Sequence, residues 1–187
     1  MALDDILLEA EEKMTKTDEV VQHEFTGIRT GKASPVLVEN ILVEVYGGSQ
    51  MRIRELAGIT TPESRVLLIQ PWDASTVQAI EKAIMKSNIG VTPAVQGKVI
   101  RLVMPELSTE RRQEMVKVVH KLAEDGRVAI RHVRRDAIEA VKKESKAGGV
   151  AEDQVETAEK EIQKLTDDYI GKINAHLAHK EKEIMTV

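Results

Sequence analysis

LSTERRQEMVKVVHKLAEDGRVAIRHVRRDAIEAVKKESKAGG, residues 107–149, decides the fold. Its apolar positions Met115, Val119, Leu122, Ile130, Val133, Ala137 and Val141 fall on one stripe of a helix with 3.6 residues per turn. Ser108 is a natural N-cap with Glu110 in the first turn, and Gly148-Gly149 supplies the C-terminal stop. At 1.5 Å per residue the helix would be about 55–60 Å long. A helix of that length with one apolar stripe cannot bury the stripe alone, so it needs partners.

Two further stripes supply them. Leu3, Leu7, Ala10, Met14, Val21, Phe25 and Ile28 step by three and four, with one polar skip at Thr17. That stripe spans about 25 residues, and Thr30-Gly31 is placed to end it. Val155, Ala158, Ile162, Leu165, Tyr169, Ile173, Leu177 and Ile184 form the third. Three stripes of similar length that must cover one another predict a three-helix bundle.

The middle of the chain follows another rule. ILVEVY (41–46) and QMRIREL (50–56) flank Gly47-Gly48, a hairpin signal. RVLLIQP (65–71) is a short continuous apolar run, which suits a buried strand. DASTVQAIEKAIMKSN (73–88) reads as an amphipathic helix capped by Asp73 or Ser75, with Val77, Ile80 and Ile84 inward. VTPAV and KVIRLVM follow as strands joined at Gln96-Gly97. The expected class is therefore α+β. Residues 1–30 and 106–187 would form the bundle, and residues 31–105 a small inserted β/α/β domain. Its tethers, TGKASP (30–35) and MPELS (104–108), each contain a proline. Two short adjacent tethers let an inserted domain swing, so Thr30, Gly31, Ser34, Pro35, Met104 and Pro105 are the expected hinge.

Composition narrows the function classes. The 187 residues are 42% hydrophobic and 31% charged, and the aromatic residues are Phe25, Tyr46, Trp72 and Tyr169 alone. Without cysteine there is no disulfide frame, thiol nucleophile or thiolate metal site. The acidic start MALDDILLEAEEK lacks the basic n-region of a signal peptide, and no apolar run is long enough to span a bilayer. A soluble, cytoplasmic protein without a membrane partner is expected. No apolar stripe is left over, which predicts a monomer.

Charge is distributed unevenly. The formal net charge is −5 over residues 1–29, +2 over 30–105, +3 over 106–147 and −4 over 148–187, for a total of −4. The central helix gathers four arginines within nine residues, Arg127, Arg131, Arg134 and Arg135, at i, i+4, i+7 and i+8. Such a stripe repels itself by a few tenths of a kcal/mol per pair. Its counter-ion is either a set of carboxylates on the acidic neighbouring helices or the phosphates of a nucleic acid, and the spacing leaves both open. On a helical wheel the core stripe lies about 110° from the arginines, so Arg127, Arg131 and Arg134 are expected to face outward.

Other motifs carry less. His176 and His179 stand at i, i+3 with Glu183 a turn further on, a conceivable zinc site but more often plain surface residues. Ser34, Ser49 and Ser64 lack a Gly-x-Ser-x-Gly context and a paired base. Gly47-Gly48 is followed by Ser-Gln, not by the Gly-Lys-Ser of a phosphate-cradling loop, so no GTPase activity is expected of the chain itself. Trp72, after Pro71, is read as a core residue at the end of the sheet, with an exposed partner contact as the other possibility.

IRTGKASP (28–35), IEKAIMKSNIGVTP (80–93), STERR (108–112) and RVAIRHVRRDA (127–137) occur in one order around an insert of fitting size. On these segments the chain resembles the bacterial ribosome recycling factors over essentially its whole length. The resemblance implies an L-shaped molecule that is not itself a catalyst and holds no cofactor. It implies binding to ribosomal RNA of the large ribosomal subunit after termination. It also implies splitting of the ribosome together with elongation factor G, which hydrolyses the GTP. Arg134 matches the central arginine of the family's V-R-R segment. The implied RNA-binding set is Arg127, Arg131, Arg134 and Arg135, with Arg29, Lys32, Arg111 and Arg112 from the flanking motifs. Lys32 replaces an arginine common in the family, which keeps the charge but loses the planar fork. His132 stands where the family commonly has an amide. Two rival readings are a helical adaptor or chaperone that offers its basic helix to an acidic protein, and a hydrolase with an unseen site.

Overall fold

A computed structural model describes residues 2–186. The chain divides into two compact units, one built from residues up to Arg29 and from Thr109–Thr186, the other from Thr30–Ser108. The first consists of three helices, α1 (Leu3–Thr26), α4 (Thr109–Ala147) and α5 (Glu152–Thr186). Toward the C-terminal end of α1, Met14, Val21 and Phe25 pack with Val119, Ala123, Ile130, Tyr169 and Ile173. Toward its start, Ile6 and Ala10 meet Ala137, Val141, Ala158 and Ile162. Each helix thus buries the stripe that its periodicity announced, and α4 runs antiparallel to α1. The 39 residues of α4 correspond to about 58 Å of helix. Gly148 at φ 80° and Gly149 at φ 122° take it out of the helical region, a conformation that glycine adopts without a Cβ penalty.

Helix α1 ends earlier than its stripe suggested, at Thr26 instead of Thr30-Gly31. Gly27 is the C-cap, and both the Gly27 N–H and the Thr26 hydroxyl donate to the carbonyl of His23. A β-branched residue followed by glycine is a poor continuation, and these bonds satisfy the end locally.

The second unit holds six strands. β1 (Leu42–Val45) and β2 (Ser49–Arg52) form a two-stranded antiparallel sheet. The other strands, β3 (Ala57–Glu63), β4 (Val66–Pro71), β5 (Pro93–Gln96) and β6 (Val99–Val103), form an antiparallel sheet in the order β3-β4-β6-β5. Helix α3 (Val77–Lys86) packs on β1, β5 and β6. Val77, Ile80 and Ile84 of α3 are buried with Val43, Leu67, Ile69, Ile100 and Leu102. Asp73 provides the cap, accepting from the Ser75 N–H at 2.9 Å at the head of a 3₁₀ turn (Ala74–Thr76) that leads into α3.

Three features here differ from the sequence reading. QMRIREL is not one strand: β2 ends at Arg52, and α2 (Ile53–Leu56) is a single helical turn that buries Ile53 and Leu56. The Arg52 N–H is taken up by the Glu55 carboxylate at 2.7 Å. The strand β3 had no sequence signal. It is a mostly exposed edge strand containing Pro62, and pairing with β4 holds it in place. Trp72 is not a core residue. It is 71% exposed, because β4 delivers its last apolar side chains to the core before Pro71.

The tethers are fastened within this unit. The Ala33 N–H donates to the Ser64 carbonyl and the Met104 N–H to the Arg65 carbonyl, both at 2.7 Å. Both chain passages of the insert are therefore bound to consecutive residues of the β3–β4 turn. Met104 is also buried in the unit's core.

Candidate nucleic-acid interface

Helix α4 presents the arginines in a line of about 12 Å, eight residues at 1.5 Å each. Their surroundings differ from one to the next. Arg127 is not outward-facing as expected: its side chain is 18% exposed. Its Nε donates to the Glu124 carboxylate at 2.8 Å and its Nη1 to Asn174 Oδ1 of α5 at 2.7 Å. Its neighbour Gly126 sits at the same seam, and Asn174, which holds the guanidinium, follows Ile173 on α5. Without a side chain, Gly126 lets Val21 and Ile173 approach α4 closely.

Arg131 is exposed and donates from Nη1 to the second Glu124 oxygen at 3.0 Å. Arg134 is half-buried, with Nη1 3.4 Å from Gln163 Oε1 of α5. Gln163 is itself held by donating to Asp167 at 2.9 Å. Arg135 and His132 are exposed and have no side-chain partner among the described residues.

The acceptors that α5 offers to these guanidinium groups are neutral amides, Asn174 and Gln163. Carboxylates of α5 pair elsewhere on α4, Glu159 with Lys142 at 3.9 Å and Glu181 with His120 at 3.3 Å. Glu124, on the same helix, is the one carboxylate that the four arginines contact among the described residues. The Arg127 and Arg131 guanidinium groups hold its carboxyl below the usual glutamate range. One acid against four arginines leaves a surplus of positive charge with many donors uncommitted, since each guanidinium has five N–H groups. That is what a phosphate-rich surface requires.

The flanking cations are not gathered with them. Arg111 is exposed and pairs with Glu114 at 3.3 Å. Arg112 is half-buried and donates to the Met185 carbonyl at 3.3 Å, the last turn of α5. There it caps a helix C-terminus, a task that a cation performs well without RNA. Sixteen residues separate Arg111 from Arg127, about 24 Å along the helix. Arg29 and Lys32 are exposed, Arg29 in the helical unit and Lys32 in the other. Of the histidines considered for zinc, His176 lies with Nε2 3.2 Å from Asp18 Oδ1 of α1, outside hydrogen-bonding geometry. No group of three or more metal-binding side chains occurs among the described residues.

The sequence reading missed the acceptors Glu124, Asn174 and Gln163. Glu124 carries a visible signal, standing three residues before Arg127 and seven before Arg131. The amides carry none, because their role depends on the register of α5 against α4.

The comparisons with known proteins agree with one another. The family model described as "Ribosome recycling factor" matches residues 21–185. The ribosome-recycling factor of Thermosynechococcus vestitus is 51% identical over 181 residues, covering 97% of this chain and 99% of its own. That of Carboxydothermus hydrogenoformans is 48% identical, covering 99% of this chain and 100% of its own. The solution structure of a ribosome recycling factor superimposes with a TM-score of 0.78 at 45% identity, covering 100% of this chain and 99% of the other. A second likeness, TM-score 0.66 at 40% identity, covers 98% of this chain and 99% of the other. It is to the T. thermophilus ribosome recycling factor, described with the E. coli elongation factor G bound to the E. coli post-termination complex. No helix among the described residues is long and apolar enough to cross a membrane. On its three-helix unit, its inserted sheet and its near full-length identity to these relatives, the chain belongs to the ribosome recycling factor family.

Proposed function

We propose that this protein binds ribosomal RNA of the large subunit after termination through the arginine-bearing face of α4. With elongation factor G and GTP, it splits the post-termination ribosome. It acts as a monomeric cytoplasmic translation factor, needs no cofactor of its own and leaves GTP hydrolysis to elongation factor G. The observation that carries this reading is the excess of arginine charge on α4. Exposed ion pairs contribute about 0–1 kcal/mol, so a cluster left without carboxylate partners on the neighbouring helix has no structural reason to persist. Phosphates provide one. Guanidinium groups also stack on unpaired bases, which suits folded RNA better than an acidic protein surface. The related structure with elongation factor G on a post-termination complex supports the same partners.

The division into two units supports a hinged mechanism. Ser34, Pro35 and Met104 lie on the small unit's side of its two backbone bonds to Ser64 and Arg65, so motion is assigned to the segments just outside, at Gly31 and Pro105. Gly31, at φ 79°, is where the chain takes a conformation that favours glycine. The test is a breakdown assay with purified post-termination ribosomes, elongation factor G and GTP, with and without this protein. Subunit release that needs all the components supports the reading. Binding to large subunits no better than to an arbitrary polyanion, with no release, would overturn it in favour of an adaptor.

A further inference from the structure

We propose that Glu124 is a positioning residue for the RNA-binding face, holding Arg131 in a fixed pose through a relay anchored on α5. The proposal rests on the RNA-binding reading above. The relay has four members. Asn174 of α5 accepts from Arg127 Nη1 at 2.7 Å, and Arg127 Nε donates to Glu124 Oε2 at 2.8 Å. Glu124 Oε1 then accepts from Arg131 Nη1 at 3.0 Å. Side-chain exposure is 18% at Arg127, against 50% at Glu124 and 45% at Arg131. The relay therefore starts in the helix seam and ends at the surface. Arg127 is the half-buried post, Glu124 the bracket, and Arg131 the group presented to solvent.

By charge alone an acid in a basic RNA-binding face works against it, since it repels phosphate. It is kept ionised by its two arginines, which hold its carboxyl below the usual range. Its benefit is conformational. A free surface arginine samples many rotamers and must lose that freedom on binding, whereas a guanidinium already held by one nitrogen does not. Arg131 gives up one of its five N–H donors to Glu124 and keeps four for the partner. Ordering one such side chain in advance is worth about three- to ten-fold in affinity.

The proposal and simple electrostatics predict opposite signs, which makes it testable. Affinity of the full-length protein for purified large subunits would be measured over a range of salt concentrations. The proteins would be wild type, Glu124→Ala, Glu124→Gln, Arg131→Ala and the Glu124→Ala/Arg131→Ala pair. Melting curves would confirm that each is folded. Glu124→Ala should weaken binding about three- to ten-fold even though it raises the net charge by one. Glu124→Gln keeps one acceptor oxygen and should recover part of the loss. In the Arg131→Ala background, Glu124→Ala should cause no further weakening, because its effect passes through Arg131. Unchanged or tighter binding by Glu124→Ala, while Arg131→Ala weakens it, would make Glu124 a competing counter-ion and overturn the proposal alone. If neither Arg131→Ala nor Arg134→Glu alters binding, the RNA-binding reading falls and the proposal with it.

Discussion

Gly126 on α4 faces Val21 on α1 so closely that a Cβ on the glycine would stand 2.5 Å from the valine Cγ2. Non-bonded carbons do not approach to that distance, so something would have to shift. Ile173 of α5 would be 3.3 Å from the same point, so all three helices converge on a residue without a side chain. Val21, being β-branched and buried, has little rotameric freedom with which to withdraw.

Replacing Gly126 by alanine should therefore destabilise the protein, although alanine is the better helix former by about 1 kcal/mol. Overpacking at a tight contact costs about 1–3 kcal/mol, so a net loss on the order of 1 kcal/mol is expected from denaturant unfolding. The Gly126→Ala/Val21→Ala pair should be more stable than the sum of the two single effects, because each change accommodates the other. An increase in melting temperature for Gly126→Ala would show that the seam is looser than described.

Arg134→Glu bears on the RNA interface. It removes a donor to phosphate and adds repulsion, for an expected loss on the order of 1–3 kcal/mol in affinity for large subunits. Wild-type binding should weaken linearly in a plot of log affinity against log salt, and the variant should show a shallower slope. Stability should change little, since the contact with Gln163 at 3.4 Å is at the long limit of a hydrogen bond. A folded variant with wild-type affinity and slope would exclude Arg134 from the interface.

Tyr46 and Asp73 give a pH signature. The Tyr46 hydroxyl donates to Asp73 Oδ2 at 3.1 Å, which keeps the phenol protonated and raises its pKa above the ordinary tyrosine value. Its contribution to stability is present at lower pH and is lost as pH climbs through the raised value. Asp73 is shifted the other way, chiefly because the Ser75 backbone N–H and hydroxyl bond its ionised form, with help from Tyr46. Its contribution is present above the unfolded carboxylate pKa and disappears as pH falls through the lowered one. Asp73→Asn should return the Tyr46 titration, followed by ring carbon shifts in NMR, toward about pH 10. An unmoved titration would mean that the contact does not persist in solution.

The fastening of the insert predicts a pattern of hydrogen exchange. The amides of Ala33 and Met104 should exchange as slowly as those of the sheet, because both donate at 2.7 Å to the β3–β4 turn. Fast exchange at both positions would extend the mobile tethers inward to residues 33 and 104.

What the sequence disclosed followed from periodicity and ended where pairing took over. The stripes of α1, α4 and α5 were legible because a 3.6-residue repeat sustained over 24, 39 and 35 residues has no other reading. Ile53 and Leu56 were read as strand because α2 is four residues long, too short for a period to show. β3 could not be seen because its residues are mostly solvent-facing and its order comes from β4. The arginine stripe was legible as chemistry but not as geometry. The wheel gave the side of α4 on which Arg127 lies, whereas its partial burial depends on the register that brings Asn174 of α5 within 2.7 Å. Arg112 is the same case: its bond to the Met185 carbonyl depends on where α5 ends, 73 residues away.

The discontinuity of the helical unit has a consequence for synthesis. Its first helix is complete at residue 26, but both partners for its apolar stripe lie beyond residue 108. Most of a helix's stability in a protein comes from packing its apolar face, so nascent α1 must wait without its core. The inserted unit is contiguous, from Thr30 to Ser108, and can close as soon as its last strand leaves the ribosomal tunnel. The middle of this protein is thus the first part whose core partners are all present during synthesis. The folded insert also brings its two tethers together at Ser64 and Arg65, so α4 emerges already close to the end of the helix it must cover.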